Sequence, residues 1–123
     1  MTGNDLFGLT MAVLSEDEGD NAEFKCRCVR LINHLLEQTF AVNNGLRRHK
    51  GLERLAETPA IAALGDEVPY EDELVNGAFP YGLAEKYVFD ENDFQKVGYF
   101  NGLYVRGVND AWRAEAGPVK RVY

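Results

Sequence analysis

Apolar positions recur at helical spacing from the first turns of the chain. Leu6, Leu9, Thr10, Val13 and Leu14 follow i, i+3, i+4, i+7 and i+8, which predicts a helix over about residues 4–15 capped by Asn4 or Asp5. The acidic run from Ser15 to Asn21, with Gly19 inside it, breaks that pattern. Asp20 or Asn21 then caps a second helix, whose first turn holds Glu23, where a negative charge suits the helix dipole. The apolar face of this helix is Phe24, Cys28, Leu31, Ile32, Leu35, Leu36, Thr39 and Phe40, so it spans about residues 21–41.

Residues 42–69 read differently. Asn43-Asn44-Gly45 has turn chemistry, and Gly51, Pro59, Gly65 and Pro69 punctuate the rest of the segment. A short helix over Leu52–Ala56 and an extended piece over Ile61–Leu64 are the only elements expected in this long loop. Helical spacing returns with Leu74, Val75, Ala78, Phe79, Leu83, Tyr87 and Val88, over about residues 71–89. Pro80 falls within that run and predicts a kink near Gly77–Phe79, because proline lacks an amide donor and crowds the preceding turn. The turn Asp90-Glu91-Asn92-Asp93 ends this helix and caps the last one, over about residues 92–115, with Val97, Phe100, Tyr104, Val108, Ala111 and Trp112 on its face. No stretch alternates apolar and polar residues as a strand would. The expected fold is all-α: a four-helix bundle in one domain over residues 1–123, with a long loop at 42–69 and an extended C-terminal arm at 117–123.

Charge sharpens this picture. The 123 residues carry a net charge of −7, distributed as −6 over residues 1–24, +5 over 25–54 and −6 over 55–123. An acidic chain is no generic polyanion binder, and its basic middle between acidic ends suits complementary contacts between subunits or partners. No apolar run approaches the ~20 residues of a membrane span, and Met1-Thr2-Gly3-Asn4-Asp5 does not open a secretory signal.

Candidate chemistry is sparse. Cys26 and Cys28 on one helix point about 200° apart and do not chelate one ion together, so Cys28 reads as core and no metal or cofactor is expected. His34 and His49 stand at no nucleophile motif, and no enzymatic activity is expected. The acidic runs lack the spacing of a calcium loop and read as helix ends. The basic cluster Arg47, Arg48, His49, Lys50 lacks interleaved aromatics and reads as a contact for an acidic protein surface. Gly98, Gly102 and Gly107 in the last helix predict close helix–helix approach, within the fold or between subunits, the alternative being a local interruption of the helix at Gly107. The aromatics Tyr99, Phe100, Tyr104 and Trp112 exceed what one buried stripe needs, which predicts spare contact surface.

Three passages carry a resemblance. They are AEFKCRCVRLINHLLEQTFAVNNGLRRHKG (residues 22–51), the link from Leu64 to Leu74, and Pro80-Tyr81-Gly82-Leu83-Ala84 followed by an acidic turn and DFQKVGYFNGLYVRGVNDA. Over roughly residues 20–115 the chain resembles the small helical neck proteins of tailed bacteriophages, the head–tail connector or adaptor family. That resemblance implies a structural protein of the virion neck, made in the host cytoplasm and assembled on the portal protein as a ring of about twelve copies. It implies a channel that passes genome DNA without sequence-specific binding, and a platform for the next neck or tail protein. Portal and neighbouring subunits would be met by Arg47, Arg48, Lys50 and Arg54 and by the arm residues Val119, Lys120, Arg121, Val122 and Tyr123. The alternative function is a small helical regulatory module that binds a protein as a dimer.

Overall fold

The structure, a computed structural model, describes residues 1–116, with side chains described through Arg113. The expected arm at 117–123 lies outside the described residues. The elements are α1 (Gly3–Leu14), a 3-10 turn (Gly19–Asn21), α2 (Ala22–Gln38), α3 (Phe40–His49), α4 (Asp72–Gly77), α5 (Phe79–Asp90) and α6 (Phe94–Ala116). The all-α expectation holds, and one isolated antiparallel bridge, Thr2 to Glu67, is the only β pairing among the described residues. Among the described residues six α-helices stand where four are expected, and the differences lie at the breaks.

The first cap falls earlier than expected, at Thr2. Its hydroxyl accepts from the Asp5 N–H at 3.1 Å, and the Asp5 carboxylate accepts from the Thr2 N–H at 3.0 Å, a reciprocal capping box. Asn21, an expected cap, makes no capping bond; its side-chain oxygen instead accepts from the Tyr87 hydroxyl at 2.8 Å. The apolar stripe of α2 buries as its spacing requires, with Phe24, Cys28, Ile32, Leu35 and Leu36 all inside.

Thr39 ends α2. Its N–H and its hydroxyl both donate to the Leu35 carbonyl, at 3.1 and 2.8 Å, so the helix closes on itself one residue before α3 begins. Asn43-Asn44-Gly45 then lies inside α3 and is no turn. Asparagine disfavours helix interiors because its amide competes for nearby backbone groups. Here the side-chain oxygens are engaged by another segment. Asn44 accepts from the Leu55 N–H at 2.8 Å and donates to the Leu55 carbonyl at 3.2 Å. Asn43 accepts from the Glu71 N–H at 2.8 Å, and Asn33 on α2 pairs both backbone groups of Ile61 at 2.8 and 3.1 Å.

The connection therefore begins at Lys50, not at residue 42, and three asparagine amides hold it against α2 and α3. Within it, Leu52–Ala56 is not helical and Ile61–Leu64 bends instead of extending. Ile61, Val68 and Tyr70 bury against the helices, and the Tyr70 hydroxyl donates to the Leu36 carbonyl. Asn44→Ala should cost about 1 kcal/mol, since two part-buried backbone groups lose their partners. Hydrogen exchange should show the Leu55 amide losing protection while α5 amides keep theirs.

The kink expected near Gly77–Phe79 is a complete break. Ala78, at φ −127° and ψ −43°, separates α4 from α5, and Pro80 occupies the first turn of α5, where its missing N–H is not needed. α5 is the central helix, packed against α1, α2 and α6, with Phe79, Leu83 and Ala84 fully buried. Asp93 caps α6 as expected, its carboxylate accepting from the Lys96 N–H at 3.3 Å.

The three glycines of α6 part company. A Cβ built on Gly107 would lie 2.2 Å from the Gly77 carbonyl oxygen, so α6 crosses the α4–α5 break in backbone contact. Among the described residues nothing lies within 4 Å of a Cβ built on Gly98 or Gly102, so the close approach within the fold is made at Gly107 and not at these two.

Candidate protein-interaction surface

The last turn of α3 gathers Arg47, Arg48 and His49, where positive charge complements the helix C-terminus. Expected to reach other subunits, Arg47 and Lys50 are engaged within the chain. Arg47 donates through Nε to the Glu53 carbonyl at 2.6 Å and lies 3.5 Å from the Glu71 carboxylate. Lys50 Nζ bonds Glu71 at 3.0 Å and Glu73 at 2.8 Å. Glu71 is the hub of this cluster, since its backbone N–H is also the one Asn43 holds.

The Lys50 hydrogen bond holds the Glu73 carboxyl below the usual carboxylate range, and the Glu73 bond raises Lys50 above the usual lysine value. The contribution of Glu73 is complete above its unfolded value and is lost as pH falls through its depressed folded value. That of Lys50 is complete below its unfolded value and is lost as pH rises through its raised folded value. Both side chains are more than a third exposed, at 37% and 38%, so solvent screens the pair. Lys50→Met should therefore cost less than ~1 kcal/mol at neutral pH. Urea melts should show that difference narrowing on acidification.

Arg48 and Arg54 are exposed and border a groove of about 320 Å³ between α3 and α6, with Phe40, Asn44 and Trp112 in its walls. A second hollow, of about 400 Å³, adjoins along α6 between Gln38 and Thr39 on one side and Tyr104, Val105 and Val108 on the other. The Tyr104 hydroxyl donates to Gln38 Oε1 at 3.1 Å, and burial pushes its pKa up to about 12, so it stays a neutral donor. Trp112 is 51% exposed and Val105 46% exposed on this face. Tryptophan, tyrosine and arginine around an apolar groove are the residues that carry most binding energy at protein interfaces.

Of the expected site residues, the groove unites Arg48 and Arg54; Val119, Lys120, Arg121, Val122 and Tyr123 lie outside the described residues. Phe40 and Trp112 join them in the groove, while Tyr104 and Val105 line the second hollow. The surplus of aromatics in the last helix signals this face, whereas nothing local in sequence places Phe40 beside Trp112.

The other chemistry-bearing residues stand apart. Cys28 is buried, with its thiol pushed up to about 12 by desolvation, while Cys26, His34 and His49 are exposed. Among the described residues no three His, Cys, Asp or Glu side chains converge as a metal site would require, and no helix is long and apolar enough to cross a membrane. Compared with known protein families, curated proteins and solved structures, the chain shows no match.

Proposed function

We propose that the chain is a structural neck adaptor of a tailed bacteriophage, which assembles as a ring on the portal protein, extends the DNA channel and receives the next neck or tail protein. The observation that supports this reading most is the α3–α6 face, where exposed Trp112 and Val105 adjoin Arg48 and Arg54 beside two hollows. A surface of that composition is suited to docking on protein. In this reading Arg54 meets acidic groups of the portal or of a neighbouring subunit, the arm at 117–123 adds a second contact, and no catalysis is assigned. Genome DNA passes the ring without being read.

Mixing the protein with purified portal tests the proposal. Sedimentation should show a stoichiometric complex, and electron microscopy should show added density at the portal's tail-facing end. Arg54→Glu, or deletion of residues 117–123, should weaken binding at least tenfold. A full-length chain that never binds portal would refute the reading.

A regulatory dimer is the second reading, and the open face over Gly98 and Gly102 favours it, because two such helices can cross at short range. A stable dimer in solution that ignores portal would decide for it.

A further inference from the structure

The two ends of α6 differ in chemistry. At its N-terminal end the corner with α5 carries Phe89 and Phe94, 56% and 61% exposed, packed edge to face at 5.8 Å. Each covers the other, and neither enters the core. Around this pair stand Asp90, Glu91 and Asp93, with Asp90 paired to Arg27 and Asp93 to Lys96 at 3.7 Å; Asp20 and Glu23 line the adjacent hollow, so acids outnumber bases. The corner is thus an apolar knob with an acidic collar. At the other end lies the basic, aromatic groove of Phe40, Trp112 and Arg54. Arg54 is exposed and has no ion pair among the described residues.

We infer that the Phe89–Phe94 knob of one copy seats in the Trp112–Arg54 groove of the next, with Glu91 meeting Arg54. Charge complementarity selects this occupant, since the collar is acidic and the groove basic. Size agrees: roughly 150 Å³ holds a benzene ring, so a groove of about 320 Å³ takes a phenyl side chain with its neighbouring atoms. Distance excludes a contact within one copy. Phe94 and Trp112 are 18 residues apart on one helix, about 27 Å along a rigid axis. The contact therefore joins different surfaces of two molecules, and such head-to-tail contacts close as a ring where the rotation per copy permits it and run on as a filament where it does not. The inference deepens the proposed function by naming the subunit contact, and it rests on the premise that copies associate.

Sedimentation velocity on the full chain and its charge-reversed variants provides the test. Wild type should associate with rising concentration, whereas Arg54→Glu and Glu91→Arg, each checked by circular dichroism for an intact fold, should lose at least tenfold in association. An equimolar mixture of the two variants should regain it, because each acidic groove then meets a basic corner and each basic groove an acidic one. Phe94→Ser should weaken association without changing the helical signal. Wild type that stays monomeric, variants that associate like wild type, or a mixture that stays dissociated would each overturn the inference. Association that survives both reversals leaves the ring reading intact while removing this contact from it. Association as inferred without portal binding does the reverse.

Discussion

Gly107→Ala is expected to lower the stability of the protein by about 2–3 kcal/mol, although alanine is the better helix former by ~1 kcal/mol. The added methyl group would lie 2.2 Å from the Gly77 oxygen, 2.8 Å from its carbonyl carbon and 2.9 Å from the Ala78 Cα. All three are backbone atoms at the junction of α4 and α5, so no side-chain rotation relieves the contact. α6 must lift away from that junction, and the packing of Ala111 one turn later lifts with it. The same substitution at Gly98 or Gly102, where a methyl group meets nothing, should raise stability by roughly 0.5–1 kcal/mol. Thermal melts decide the matter. A melting point lowered by roughly 10 °C at position 107 and raised at the other two is the expected result. Equal effects at all three positions would mean that α6 does not cross the break in backbone contact.

Phe79→Ala should be the most damaging change, at about 3–5 kcal/mol of a total stability on the order of 5–15 kcal/mol. Phe79 is fully buried at the first position of α5 and packs against Tyr70, with ring centroids 6.3 Å apart. Through Tyr70 the ring reaches the end of the connection, whose hydroxyl bond to Leu36 anchors it to α2. Truncation leaves a cavity where three segments meet, and neither α5 nor the connection can collapse into it without breaking that bond. Phe79→Leu, which keeps most of the volume, should cost less than half as much. Chemical denaturation of the three proteins should rank them wild type, Leu, Ala, with the Ala variant partly unfolded at 37 °C. A loss below 1 kcal/mol for Phe79→Ala would contradict this account of the core.

Both effects arise at places where the chain pattern speaks with different clarity. The proline at 80 announces a disturbance near Gly77–Phe79, and the structure has its break at Ala78. Gly107 is visible as one of three helical glycines, yet nothing near it in sequence distinguishes it from Gly98 and Gly102. Its special role comes from Gly77, thirty positions earlier and brought close only by folding. The candidate interaction face divides in the same way. Arg48, Arg54 and the surplus aromatics can be marked from the chain, but the engagement of Arg47 and Lys50 by Glu71 and Glu73 depends on residues more than twenty positions away. Phe40 and Trp112 share a groove for the same reason.

By itself the sequence determined that this protein is helical and which stripe of α2 faces inward, because the 3.6-residue period is a property of neighbouring side chains. Tertiary structure alone decided that Asn43-Asn44-Gly45 is helix and not turn. Turn chemistry expresses itself only when asparagine amides find partners on their own backbone. Here Leu55 and Glu71, 11 and 28 residues further on, take up the side-chain oxygens instead, and the helix continues past them.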